Sequence, residues 1–106
     1  MRTGRIAEVQ DVRFHSLDEI KRGGAAFCRI KGLLFHSAMV VDRVEVLPAE
    51  NAMWLIVAMG LARPGASGAF EVDVPLSGDI KSVVFGTDHT PIWRRTAGKR
   101  QQEAAV

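Results

Sequence analysis

The stretch "MWLIVAM", residues 53–59, is apolar at every position. Alternate residues of an extended strand point to opposite faces of a sheet, so both faces of this strand would be apolar. An antiparallel strand with one solvated face alternates apolar and polar residues instead. The stretch therefore predicts a central strand that is covered on both faces.

Two arrangements can supply that cover, and the sequence leaves both open. One face can be roofed by the chain's own helix and N-terminal segment, or it can meet the same face of a second copy in a twofold dimer. The chain has only 106 residues and little else to offer as cover. We therefore take a homodimer through the face that carries Trp54 or Met53 as the leading hypothesis.

The neighbouring segments also have β patterns. In "AFEVDVPL", residues 69–76, Phe70, Val72 and Val74 alternate with acidic residues, which is typical of a strand with one buried face. Short Gly/Pro loops such as "RPGASG", residues 63–68, separate these segments. The spacing predicts an antiparallel meander.

One segment has the pattern of a helix. In "SLDEIKRGG", Ser16 precedes Glu19 by three residues, as in a capping box, and Gly23-Gly24 resembles a helix stop. The fold class that we predict is α+β and predominantly antiparallel β. It is a strongly bent sheet or small open barrel of five to six strands, with one short helix near residues 16–22.

Charge divides the chain into a compact domain, residues 1–93, and a basic tail, residues 94–106, that we expect to be mobile. The whole chain has a formal charge of +2, but the tail has four basic residues against one acid, so the rest of the chain is slightly acidic. This disfavours a basic groove for nucleic acid. Nucleic-acid contact through the tail stays an alternative, with an aromatic beside basic residues: Trp93, Arg94, Arg95, Lys99 and Arg100.

Cysteine use and hydropathy indicate a cytoplasmic protein without a membrane partner. The single cysteine, Cys28, cannot form an internal disulfide, and the first residues have no apolar run typical of a secretory signal. The longest apolar run, residues 52–62, is far shorter than the roughly 20 residues that span a bilayer.

Catalytic motifs are weak, so we expect a protein that is not an enzyme. His36, His89 and Asp88 are the candidates for a small hydrolase or isomerase, in which Asp42 or Asp88 would assist a histidine. The three histidines lack the spacing of metal ligands, and no glycine loop has a phosphate-binding pattern. We therefore predict neither a metal nor a cofactor.

The segment "GTDHTP", residues 86–91, predicts a turn rather than a reactive site. Gly86 supplies a positive φ, and Pro91 interrupts regular pairing. The following Ile92 and Trp93 would then fasten the end of the chain onto the sheet.

The ending "FGTDHTPIWRR", the small compact domain and the lack of site motifs resemble the small proteins encoded by mobile integron gene cassettes. The resemblance transfers no site residue. It implies a bacterial accessory role and a homo-oligomer.

Together these observations predict a non-enzymatic binding or interaction module. It would be homodimeric, with an apolar cleft between sheet and helix for a small ligand or a protein partner. The residues expected at the ligand or the interface are Met53, Trp54, Leu55, Met59, Phe35 and Met39. The alternative for these side chains is an ordinary core.

Overall fold

A computed structural model describes residues 5–35 and 38–95. Strands make up 67% of these residues, and a 3-10 turn at Val9–Asp11 makes up about 3%. Within this part of the chain, no helix is long and apolar enough to cross a bilayer. The strands are β1 (Arg5–Ile6), β2 (Val12–Arg22), β3 (Ala25–Leu34), β4 (Met39–Ala49), β5 (Ala52–Leu61), β6 (Ala69–Pro75), β7 (Ser82–Phe85) and β8 (Thr90–Arg94).

The larger sheet has β5 at its centre. β4 pairs antiparallel with β5 along one side. On the other side, β7 runs parallel to residues 52–55, and β1 runs antiparallel to residues 58–59. β8 pairs antiparallel with β7 at the edge. The prediction of a central strand at residues 53–59 is confirmed.

The smaller sheet contains β2, β3 and β6 in that order, all antiparallel. β4 is joined to the loop before β6, because the Val41 amide donates to the Ser67 carbonyl oxygen at 2.9 Å. Across the described residues they do not close into a barrel. The predominantly antiparallel β class is confirmed. The sequence predicts five to six strands in one bent sheet or open barrel, whereas the described residues form eight strands in two sheets. β6, which lies between β5 and β7 in sequence, belongs to the other sheet, and β5 and β7 pair in parallel.

The predicted helix near residues 16–22 is wrong, because these residues belong to β2. They pair with β3 in register from Ser16 opposite Lys31 to Arg22 opposite Ala25. Gly23 and Gly24, with φ of 59° and 84°, form the two-residue turn of a β-hairpin instead of a helix stop. Pairing along the whole strand outweighs the local capping pattern, whose helix would be only about two turns long.

The core lies between the two sheets. Ile30 and Val74 of the smaller sheet face Leu55 and Val57 of the larger one, and all four are fully buried. Phe85 is also enclosed, and it makes an edge-to-face contact with the Phe14 ring at 5.2 Å between centroids. Each sheet thus buries one face against the other.

One chain covers most of the apolar stretch in β5. Leu55, Val57 and Met59 face the core, and Ile56 and Ala58 on the opposite face are only 8% and 6% exposed. Burial of this stretch therefore does not require a second copy of the chain. Dimerisation itself stays a prediction.

The chain end is fastened to the larger sheet by β8. Ile92 and Trp93 pack against the core, with Trp93 opposite Val83. The Arg95 amide donates to the Lys81 carbonyl oxygen at 2.8 Å, so the described fold continues past the predicted domain end at residue 93. Residues 96–106 lie outside the described residues.

Charged side chains dominate the outer face of the smaller sheet. The Asp73 carboxylate accepts two hydrogen bonds from Arg29, at 2.8 and 3.1 Å, and one from Nη2 of Arg22 at 2.7 Å. The two hydrogen bonds from Arg29, and then the one from Arg22, hold the pKa of Asp73 well below its usual range. This carboxylate joins β2, β3 and β6.

The depressed pKa predicts that Asp73 stabilises the fold at neutral pH and less so in acid. The contribution is present above the ordinary carboxyl pKa of about 4 and is lost as the pH falls toward the lower value of the folded state. We expect Asp73→Asn to lower the urea midpoint at pH 7, with a gap to the parent that narrows below about pH 4. Asp88→Asn, on an exposed turn, should match the parent. A gap that stays constant between pH 7 and 2.5 would contradict the assignment.

Candidate binding surface

The larger sheet carries an apolar row on its outer face. Leu47 of β4 lies opposite Trp54 of β5, Trp54 lies opposite Val84 of β7, and Val84 lies opposite Pro91 of β8. Paired residues of neighbouring strands point to the same face. The residues that precede Leu47, Trp54 and Val84 in sequence pack into the core on the other side. We call the row, together with His89, the Trp54 surface.

Two contacts fix the indole of Trp54. Its Nε1–H donates to the Gly86 carbonyl oxygen at 2.8 Å. Its ring lies against the imidazole of His89, with 4.4 Å between the ring centroids and a tilt of 47°. The polar nitrogen is therefore satisfied by the chain itself, and the rest of the half-buried ring serves as apolar surface.

The turn at residues 86–89 places both partners of the indole. Gly86 has a φ of 77°, which confirms the positive φ that we predict there, and His89 has a φ of 52°. The His89 amide donates to the Gly86 carbonyl oxygen at 3.2 Å. Left-handed backbone at a residue other than glycine is strained and is kept only where the surroundings impose it. His89 is therefore held in place over Trp54 by the turn.

Glu8 anchors this turn from a distant part of the sequence. Its carboxylate accepts a hydrogen bond from the Thr87 amide at 3.0 Å and another from the Thr87 hydroxyl. A Cβ on Gly86 would collide with the Glu8 carboxylate and would lie 3.1 Å from the Ala7 carbonyl oxygen. The turn is thus closely packed as well as hydrogen-bonded, so the Trp54 surface is preformed.

Charged groups border this row. Leu47 is 41% exposed, whereas Val84 beside Trp54 is only 8% exposed. Arg43 and Glu45 lie on the same face of β4, with Arg43 Nε 2.7 Å from Glu45 Oε2. An apolar centre with a polar border is the arrangement of protein interfaces.

Most of the residues that we predict at a ligand or interface belong to the core. Leu55 and Met59 are fully buried, and Met39 and Met53 are partly buried against the core. Because the predicted helix is a strand, no cleft between sheet and helix forms in residues 5–35 and 38–95. The ordinary-core alternative fits these four side chains. Trp54 is the predicted interface residue that lies on the Trp54 surface.

Phe35 lies apart from this surface. It is 59% exposed, at the end of β3, with the Arg13 guanidinium 4.9 Å from its ring centroid. A shallow depression of about 370 Å³ lies elsewhere on the smaller sheet, lined by residues 24–27 and 75–78. The structure does not bring Phe35 together with the other predicted interface residues in one cleft.

The catalytic candidates are not assembled into a site. His89 contacts Trp54. The Asp42 carboxylate lies near the other end of β5, 3.3 Å from Nη2 of Arg63. Asp88 is exposed beside His89, and His36 lies outside the described residues. Burial, followed by the charges of Asp18 and Glu19, raises the pKa of the enclosed Cys28 thiol to about 11. In the described part of the chain, no group of three or more His, Cys, Asp or Glu could hold a metal ion.

Of the residues in the nucleic-acid alternative, the structure describes Trp93, Arg94 and Arg95. Trp93 packs against the core, and the Arg95 guanidinium donates to the carbonyl oxygens of Ile80 and Ser77 at 2.8 and 3.0 Å. Arg94 is exposed, and Lys99 and Arg100 lie outside the described residues. The predicted stacking aromatic therefore contributes to the fold.

Three residues of the Trp54 surface are not among those that the sequence predicts at an interface. Leu47, Val84 and Pro91 come from strands that are distant in sequence, and only the strand register brings them beside Trp54. The available signal was in β4, where Arg43 and Glu45 alternate with apolar residues and Leu47 is apolar at the next position of the charged face.

Comparison of the chain with protein-family models, with curated proteins and with solved structures gives no match.

Proposed function

We propose that the chain is a non-enzymatic binding module that docks an extended apolar segment of a partner protein on the Trp54 surface, and that it self-associates. This proposal carries forward the bacterial accessory role that the likeness to cassette-encoded proteins implies. The observation that supports it most is the apolar row Leu47–Trp54–Val84–Pro91 on a sheet face.

The shape of the surface favours a protein segment over a small molecule. Sites for small ligands are concave and enclose most of the ligand, whereas this row lies across a sheet face. Tryptophan is enriched among the residues that dominate binding energies at protein interfaces. An apolar side chain of the partner would rest against the indole and Leu47, with the Arg43–Glu45 pair at the border.

Preorganisation supports the same function. Trp54 is already held by Gly86 and His89, so binding costs little side-chain entropy there. The contacts of His89 with Trp54 and of Asp42 with Arg63 give no comparable support to a hydrolase or isomerase.

Selection of peptides from a random displayed library tests the proposal. We expect enriched peptides with apolar or aromatic residues, and at least tenfold weaker binding of the best one to Leu47→Glu, measured by calorimetry. Leu33→Glu is the matched control, because Leu33 is similarly exposed but lies on the smaller sheet, and it should change the affinity less than twofold.

Three outcomes contradict this docking function. They are a selection that enriches no sequence, equal binding by the parent and Leu47→Glu, and conversion of a dimeric parent to a monomer by Leu47→Glu. The last result would identify the Trp54 surface as the contact between copies.

A further inference from the structure

The outer edge of β2 is available for pairing. β2 is 11 residues long and pairs with β3 along one side. Within residues 5–35 and 38–95, no strand pairs with its other side. An open edge exposes backbone donors and acceptors in the spacing that another strand requires.

The last five residues of β2 are self-complementary in charge. They are Asp18, Glu19, Ile20, Lys21 and Arg22: two acids, one apolar residue and two bases. Suppose that a second copy of the strand pairs antiparallel about a twofold axis at Ile20. Asp18 then faces the other copy's Arg22, Glu19 faces its Lys21, and Ile20 faces Ile20. Every charged row of this pairing joins opposite charges, which stabilises cross-strand pairs.

The neighbouring registers are disfavoured. Twofold pairing of identical strands always places one residue opposite itself. Moving the axis by one residue puts Glu19 against Glu19 or Lys21 against Lys21, and moving it by two does the same for Asp18 or Arg22. Like charges directly opposite each other destabilise a sheet. Charges on an edge strand ordinarily prevent pairing, but here their order selects one register.

The side chains concerned have few partners within the chain. Asp18, Glu19 and Lys21 are exposed, and their side chains make no hydrogen bond or ion pair with the described residues. Arg22 donates Nη2 to Asp73 across β3, and its guanidinium lies 5.3 Å from the Phe27 ring centroid. Its side chain is 55% exposed, so it can exchange these contacts for Asp18 of a second copy at the outer edge of β2. A second copy would give Asp18, Glu19 and Lys21 the partners that the described part of the chain does not supply.

We propose that two copies of the chain pair antiparallel through residues 18–22 of β2 and thereby join their smaller sheets. This inference rests on the self-association in the proposed function and names its route. The Trp54 surface lies on the other sheet, so each copy keeps it free. Five rows supply roughly four to six backbone hydrogen bonds and a small buried area, and the dimer is accordingly weak, reversible and salt-sensitive.

Complementary charge reversals test the pairing. Asp18→Lys/Glu19→Lys places bases throughout the segment, and Lys21→Glu/Arg22→Glu places acids throughout it. Sedimentation velocity of each variant alone is expected to show a monomer, and an equimolar mixture is expected to show a heterodimer. The dimer of the parent should weaken at least about fivefold between 0.05 and 1 M NaCl. Circular dichroism of each variant controls for folding.

A single cysteine tests the register. In this pairing Ile20 faces Ile20 at a Cα separation of about 4.5–5.5 Å, within the range of a disulfide. Mild oxidation of Ile20→Cys is expected to give a covalent dimer on a non-reducing gel. Ser16→Cys, on the same strand, should stay monomeric because the axis lies four residues away. Cys28 is enclosed and can be kept.

The outcomes separate this inference from the proposed function. Self-association of the parent without heterodimer formation, or equal cross-linking of Ile20→Cys and Ser16→Cys, overturns pairing through β2 and leaves self-association intact. A parent that is monomeric up to millimolar concentration overturns both the pairing through β2 and the self-association. Loss of peptide binding in Leu47→Glu, with binding kept in the β2 variants, supports docking on the Trp54 surface and shows that docking does not depend on the pairing through β2.

Discussion

Gly86→Ala is expected to destabilise the protein by about 3 kcal/mol. A left-handed backbone costs a residue with a Cβ roughly 1–2 kcal/mol. The new methyl group would also displace Glu8, whose hydrogen bonds to Thr87 contribute about 1 kcal/mol each. The loss is measurable as the difference in unfolding free energy from urea titrations.

Gly65→Ala is the matched control for this substitution. Gly65 has a φ of 81°, close to the 77° of Gly86, but a Cβ there would meet no atom within 4 Å. Its cost should therefore be that of the backbone alone, roughly 1–2 kcal/mol. Equal losses in the two variants would show that the contact of the turn with Glu8 contributes nothing.

The larger loss is expected for Phe85→Ala, at about 4 kcal/mol. Phe85 is fully buried between the sheets and contacts the Phe14 ring, and removing a buried phenyl ring leaves a cavity that the surroundings fill only in part. Phe35→Ala removes the same atoms from a side chain that is 59% exposed, and it should cost less than about 1 kcal/mol. Losses of similar size in the two variants would contradict the described core.

Local patterns predicted the strands well where the pattern matched the burial. Alternation of Phe70, Val72 and Val74 with acidic residues corresponds to β6, and the apolar stretch at residues 53–59 corresponds to the central strand β5. Gly86 has the positive φ expected of its turn. These features depend on residues that are close in sequence, so local patterns are enough to predict them.

The errors arose where long-range pairing decides the structure. The segment at residues 16–22 has the local pattern of a capped helix, but its pairing with β3 selects the strand. In the extended strand, residues 18–22 place two acids before Ile20 and two bases after it, which makes the segment self-complementary in charge. A helix would present Asp18, Ile20 and Arg22 in different directions, whereas a strand presents them on one face.

The Trp54 surface could not be derived from periodicity for the same reason. β5 and β7 pair in parallel although β6 separates them in sequence, and this register alone sets Val84 beside Trp54. The apolar stretch at residues 53–59 identified Trp54 as a candidate but gave no information about the residues around it.

Chemical-shift mapping tests the central claim, that the outer face of the larger sheet is the binding surface, most directly. The best selected peptide is titrated into the ¹⁵N-labelled protein. We predict shifts of the Trp54 indole N–H and of backbone amides within residues 45–47, 54–56 and 84–90, with β2, β3 and β6 unchanged. Shifts confined to the smaller sheet, with an unmoved Trp54 indole, would contradict the claim.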